Sequence, residues 1–302
     1  MEVALGCSPD AAQRAAFGAR CVADYAAALA DPTIDAVVLA TPHSLHVPQV
    51  IAAARAGKHV LVEKPLALDI AGALAAVTAC REAGVVLAVG HNRRLLAQLG
   101  LMAGLLEDCG QLLHVEANFS TAEALAFPPG HWRTLSSECP GGAMTVLGVH
   151  VIDWLHVLFG PVARVSARFA RRAVATGMDD TATAQLVFAS GLGAQLTCLY
   201  AASYTNRLVV HGSEASLVLD AAAPETPALR PSLTVRARDG TTTTVPVPYV
   251  DTLAVQMARF AAACSGRGTL AVDGIQAARN IAVLDAIIRA ATSGHEVAVA
   301  YG

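Results

Sequence analysis

The sequence predicts an α/β unit followed by an α+β unit: a doubly wound parallel sheet, then an open, mainly antiparallel sheet with helices. Two observations carry that reading. From Val3 to Val89, short apolar runs of strand length alternate with stretches of helical periodicity, the order that crossover connections impose on a parallel sheet. From about Leu112 onward, strand-like runs follow one another with only turn residues between them, which favours antiparallel pairing. The division is expected at residues 1–95 and 96–302, with the last helices packing back on the whole.

Each element has its own local reason. Val3–Leu5 reads as a strand, Pro9–Phe17 and Tyr25–Leu29 as helices, and Ala36–Ala40 as a fully apolar strand. Pro48–Ala56 carries an apolar helical face, Val60–Val62 is an apolar run between Gly57 and the stop at Pro65, Ile70–Ala83 is helical, and Val85–Val89 is the next strand. In the second unit the strand-like runs are Val162–Phe169, Ala182–Phe188, Ala194–Tyr200, Arg207–His211 and Ser216–Leu219. Thr234–Arg238 and Thr241–Val247 flank Asp239-Gly240, a hairpin signal because a type I′ turn needs positive φ at both central residues. Thr252–Ala263 and Ile275–Ala291 are the closing helices, the second with Ile281, Leu284, Ile287 and Ile288 at helical spacing.

Bulk properties exclude several function classes. A chain of 302 residues, 54% hydrophobic, can bury two substantial cores. Its formal charge of −3 and its lack of any Lys/Arg run give no electrostatic case for nucleic acid or an anionic membrane. The seven cysteines are scattered and form no C-x-x-C pair, which points to reduced thiols in the cytoplasm rather than disulfides or a metal site. No apolar stretch reaches bilayer length, and no secretory leader pattern is visible at the start.

Lys64 is the first chemically informative residue. It follows the Val60–Val62 strand, and the carboxyl ends of strands in open α/β sheets are where ligands bind. On the tripeptide Glu63-Lys64-Pro65 alone, a solvated ion pair and a stationed catalytic ammonium are equally open. His150 is the second, because imidazole titrates near neutral pH. On Val149-His150-Val151-Ile152 alone, a core histidine on an apolar helix is the simpler reading.

Four motifs in order change that balance. Ala40-Thr41-Pro42-His43-Ser44-Leu45-His46, Ala56-Gly57-Lys58-His59-Val60-Leu61-Val62-Glu63-Lys64-Pro65, Gly90-His91-Asn92-Arg93-Arg94 and the run from Gly141-Gly142 through Gly148-Val149-His150 to Asp153 resemble the Gfo/Idh/MocA oxidoreductases over essentially the whole chain. The resemblance implies a Rossmann-like first unit and an NAD(P)-dependent dehydrogenase or reductase. Its substrate would be a sugar, cyclitol or related polyol, and its open C-terminal sheet would build homo-oligomers. It makes Lys64 and His150 the catalytic pair, with a cis peptide before Pro65. It also implies cofactor contacts at Thr41, Pro42, His46, Glu63, Lys64, Asn92, Trp132 and Arg133, and substrate contacts at Lys64, Arg94 and His150. Asp153 and Tyr204 are further substrate candidates, each with a plainer reading: an N-terminal or solvent-face carboxylate, and a rim tyrosine. No metal site is expected.

Two departures from the family pattern matter. The aspartate expected one helical turn before the histidine is Val146, which can neither bind a hydroxyl nor tune the imidazole, so a less hydroxylated substrate is implied. No G-x-G-x-x-G is present, so the chain is expected to open at the second strand of the dinucleotide fold, without the first strand and its phosphate cradle. Cys7-Ser8 then stands at the adenosine ribose where an acidic residue would select NAD, and Ser8 leans toward NADP, with NAD as the alternative. The competing functional class is a non-catalytic ligand sensor or regulatory protein descended from the family.

Overall fold

The computed structural model describes residues 2–17, 20–221 and 231–302. The parallel sheet of the first unit is in two pieces. Strands β1 (Gly6–Cys7) and β2 (Cys21–Val22) pair parallel, joined by helix α1 (Ala11–Ala16). After helix α2 (Tyr25–Ala30), strands β3 (Ala36–Leu39), β4 (His59–Val62) and β5 (Leu87–Val89) form a separate parallel sheet in that order, with α3 (His46–Arg55) and α4 (Ile70–Glu82) as the crossovers. Among the described residues no strand pairs with the outer edge of β3.

Local chemistry sets most boundaries. Asp10, Asp24, Asp69, Asp251 and Asp273 each cap a helix through a side-chain oxygen, and Gln276 completes a capping box with Asp273. Pro48 lies in the first turn of α3, where a missing N–H costs nothing. One strand is misplaced by composition: Val3–Leu5 is not extended into a ladder, and β1 falls at Gly6–Cys7 instead. Pairing decides here, since Gly6 N–H donates to Arg20 O and Ser8 N–H to Val22 O, whereas Val3 is 71% exposed.

After β5 come α5 (Ala97–Gly104), β6 (Leu112–Ser120) and α6 (Val149–Phe159). Strands β7 (Val162–Ala170), β8 (Thr181–Phe188), β9 (Gly193–Leu199), β10 (Thr205–Gly212), β11 (Ala215–Asp220), β12 (Ser232–Ala237) and β13 (Thr242–Val245) follow. Helices α7 (Thr252–Cys264) and α8 (Gly274–Ser293) and strand β14 (Val297–Ala298) complete the chain. Among the described residues this sheet has nine strands ordered β13-β12-β11-β10-β6-β9-β8-β7-β14. Its pairs are antiparallel except one: β6 runs parallel to β9, from His114 opposite Gly193 to Ser120 opposite Leu199. A parallel neighbour needs a long crossover, and α6 with the β7–β8 hairpin supplies it.

The chain end returns to the first unit. Helix α8 packs on α4, Val89 N–H donates to Val272 O, and Phe260 of α7 is buried against Leu61 and Ala88. Helix α6, carrying Trp154 and Leu155 in the core, lies against α8. The functional residues sit where these elements meet. Among the described residues no helix is long and apolar enough to cross a membrane, and no cluster of ligating side chains could hold a metal ion.

Candidate active site

Lys64 lies where the β4 end meets the 141–148 segment. The β4 backbone continues past Val62, with Glu63 N–H donating to Leu39 O, and the Lys64–Pro65 peptide is cis. Gly90 on the neighbouring strand end lets Glu63 approach, because a Cβ there would lie 3.0 Å from Glu63 Oε2. Lys64 Nζ donates to the backbone carbonyl of Val146 at 3.0 Å. Burial draws the ammonium's pKa down to about 8; the Glu63 carboxylate opposes this, and Arg133 and Arg93 reinforce it.

His150 reaches the same point from the second unit. Gly141 and Gly142 take φ values of +80° and +50°, and a Cβ on Gly142 would lie 2.1 Å from Asp179 O. Only glycine allows that approach, which seats the 141–148 segment against the loop before β8. Residues Met144–Gly148 form a π-type turn running into α6, and such bulges recur at functional sites. His150 is 7% exposed and its pKa lies well below the usual imidazole value, chiefly through burial and then through the Lys64 charge. The imidazole is therefore neutral at physiological pH. Val146 is itself buried, so its carbonyl rather than any side-chain polar group meets Lys64.

Sequence reasoning missed His91. It lies two residues beyond the end of β5, as Lys64 lies two beyond the end of β4, and it is buried with its ring 6.0 Å from that of His150 at 87°. Burial lowers its pKa to about 4. The available signal was topological: two adjacent parallel strands place their following residues at one sheet edge.

The remaining predicted residues are placed differently. Asp153 is wholly buried; Arg94 Nε donates to its Oδ2 at 2.9 Å, Arg94 Nη2 engages Oδ1, and Asn280 Nδ2 donates to Oδ1 at 2.6 Å. Both expected substrate contacts, Arg94 and Asp153, are thus joined in an internal brace tying the turn after β5 to α6 and α8. His46 is also buried, its Nδ1 against Pro65 O at 2.8 Å and its Nε2 against Thr41 O at 3.0 Å, so it straps two strand-end loops together. Thr41 Oγ1 donates to Gln49, Pro42 O accepts from Leu45 N–H, and Asn92 Nδ2 donates to Thr252 on α7. Trp132 meets the edge of His43 at 4.9 Å and carries the Arg133 guanidinium 4.4 Å above its ring. Tyr204 packs on Phe119, whose ring is 6.1 Å from His150.

A second strap was absent from the sequence reading. Ser44 donates to the Glu138 carboxylate through N–H at 2.9 Å and Oγ at 2.6 Å, while His43 Nδ1 meets Glu138 O at 2.7 Å. The loop after β3 is thereby fixed to the segment that leads into Gly141-Gly142.

Comparisons with known proteins decide the family. Residues 3–91 match the oxidoreductase family with NAD-binding Rossmann fold, and residues 107–218 match the GFO/IDH/MocA C-terminal domain. The 1,5-anhydro-D-fructose reductase of Ensifer adhaerens is 30% identical over 277 residues, covering 90% of this chain and 82% of that protein. The chain belongs to the GFO/IDH/MocA oxidoreductase family. The dTDP-3,4-didehydro-2,6-dideoxy-alpha-D-glucose 3-reductase of Streptomyces violaceoruber is 31% identical, covering 91% of this chain and 82% of that one. A solved structure from Desulfitobacterium hafniense superposes with TM-score 0.91 at 26% identity, covering 99% of this chain and 90% of that one. The WlbA dehydrogenase of Bordetella pertussis, solved with NADH and UDP-GlcNAcA, superposes with TM-score 0.83 at 26% identity, covering 99% and 90%. This GFO/IDH/MocA protein is an NAD(P)-dependent dehydrogenase or reductase.

The residues for a dinucleotide differ at its two ends. Around Lys64, the ammonium held by Val146 O and the neutral His150 imidazole fit an oxygen to be bound there. At the end of β1, Ser8 Oγ donates to Gln13, and the Arg14 guanidinium folds back to the carbonyls of Ser8 and Pro9 at 2.8 Å each. A cation therefore stands beside Ser8. Between β1 and α1 there is no phosphate cradle: the Asp10 carboxylate already accepts from the N–H groups of Ala12 and Gln13, and Gly6 is filled by the Phe17 ring and Cys21 Sγ.

Proposed function

We propose that this oxidoreductase interconverts a carbinol and a carbonyl of a sugar-like substrate with NADP(H), and that the substrate presents no hydroxyl to position 146. The observation that carries the reading is the Lys64 ammonium, lowered to a pKa of about 8 and held by Val146 O at the cleft that His150 also reaches. Nicotinamide, when bound, supplies or accepts the hydride. Lys64 handles the proton: as the ammonium it gives a proton to the carbonyl oxygen in reduction, and as the free amine it takes the hydroxyl proton in oxidation. His150, neutral, fixes the same oxygen by a hydrogen bond.

The relatives support the substrate class, since the two named reductases act on a keto-sugar and on a dideoxy keto-sugar. Val146 favours the less hydroxylated kind, because a buried valine leaves a substrate hydroxyl unpaired, at a cost of about 1–3 kcal/mol. NADPH consumption with 1,5-anhydro-D-fructose and with a 2,6-dideoxy keto-sugar nucleotide tests this. The dideoxy substrate is expected to react at least about tenfold better, and Val146→Asp is expected to reverse the order. No consumption of NADPH or NADH with any keto-sugar sinks the reading.

For the cofactor, Arg14 beside Ser8 supports NADP, since a guanidinium pairs with a 2′-phosphate. Arg14→Ala is expected to weaken NADPH binding about tenfold and leave NADH binding within about twofold, read by quenching of tryptophan fluorescence. Equal losses for both cofactors would exclude the assigned role.

A further inference from the structure

The buried polar network behind the site fixes the protonation pattern of both histidines. Asn280, fully buried on α8, has its amide orientation dictated from two sides. Its Nδ2 lies 2.6 Å from Asp153 Oδ1, a carboxylate that can only accept, so the NH2 group must be on that side. Its Oδ1 lies 2.7 Å from His156 Nδ1, which therefore donates. The second amide proton points to His91 Nε2 at 3.5 Å. That nitrogen can receive it only with its lone pair, so a neutral His91 carries its proton on Nδ1.

This leaves a buried N–H donor on His91 without an acceptor and, across an edge-to-face contact of 6.0 Å, a buried Nδ1 on His150 without a donor. Two unpartnered buried nitrogens in one enclosure are costly apart and complementary together. If His150 also carried its proton on Nδ1, two donors would face one enclosure with no acceptor among the described residues.

The geometry points to His91 as a positioning residue for His150: Asn280 sets the His91 tautomer, and His91 Nδ1–H serves the lone pair of His150 Nδ1 through one buried water, leaving the His150 proton on Nε2. His150 then acts in the cleft as a fixed hydrogen-bond donor to the substrate oxygen, and Lys64 alone makes the net proton transfer. The assignment deepens the proposed function and rests on it only for His150 touching substrate. Brace and site are linked by this route: Arg94 and Asp153 orient Asn280, Asn280 orients His91, and His91 orients His150.

Long-range proton–nitrogen correlation spectra of the histidine-labelled, ligand-free protein read each tautomer directly. The expected result is His91 protonated on Nδ1 and His150 on Nε2. In His91→Leu the His150 signals are expected to shift toward a tautomer mixture, with kcat falling about 10- to 100-fold and KM within about threefold. His91→Asn, whose amide still donates, is expected to restore kcat to within about fivefold of the parent. His150 protonated on Nδ1 in the parent protein, or unmoved in His91→Leu, overturns the assignment. The parent spectrum decides the matter even where His91→Leu does not fold. Predicted tautomers without any NAD(P)H turnover would support this assignment and sink the proposed function, so the two failures are distinguishable.

Discussion

Lys64→Met is expected to abolish turnover and to yield a more stable protein. Losing the proton-handling group and its charge from the site removes about 10³-fold or more from kcat/KM. Stability moves the other way because burial lowers the lysine from 10.5 to about 8. Between those pH values the unfolded chain binds the proton and the folded one does not, so stability rises with pH there. Below pH 8 both states are charged, and the folded protein bears the full cost of burying the ammonium. Methionine, of similar length and apolar, removes that cost and forfeits the bond to Val146 O. A net gain of about 1–2 kcal/mol, or about 2–6 °C in Tm, is expected near neutral pH. With Lys64 in the proposed role, the same pKa is expected to set the activity profile of the parent enzyme: carbonyl reduction fast below pH 8 and falling above it, and alcohol oxidation the reverse. A Lys64→Met enzyme that keeps its rate, or a parent profile flat through pH 8, would remove Lys64 from the chemistry.

Asp153→Ala is expected to be the most destabilising single change in the site region. It takes the carboxylate from the Arg94 guanidinium, whose side chain is 12% exposed and which keeps only the neutral acceptors Ala271 O and Gln276 Oε1, and frees the Asn280 amide, both beside the core. Breaking a buried pair from one side costs about 3–5 kcal/mol, enough to lower Tm by about 10 °C. Asp285→Ala provides the contrast. That carboxylate pairs with Arg289 one turn along α8 on an exposed surface, and its loss should cost about 0.5 kcal/mol or less. Equal losses in the two variants, measured by thermal or urea unfolding, would contradict the brace.

Much of the fold was legible because its signals are local. The aspartate caps mark helix starts, Asp239-Gly240 marks the β12–β13 hairpin, and alternation along β8 and β9 separates the core face from the outer face. Partnership between strands was not legible. β1 is a strand because Arg20 and Val22 lie alongside to complete its hydrogen bonds, and β6 is parallel to β9 because of a crossover about seventy residues long. No short window of sequence contains such information.

The site divides in the same way. Lys64 at a strand end and His150 after its glycine pair are determined by the sequence itself, since a proline stop and an ordered set of motifs fix where they fall. The tertiary structure alone decided what each polar group does. Asp153 and Arg94, readable as substrate contacts, became a brace because α6, α8 and the turn after β5 converge on them; His91, part of a motif but given no role in sequence, became the neighbour of His150. The physical reason is that a charged or polar side chain has no fixed meaning along the chain. Its role is set by which partners burial leaves within about 3 Å, and those partners come from segments far apart in sequence.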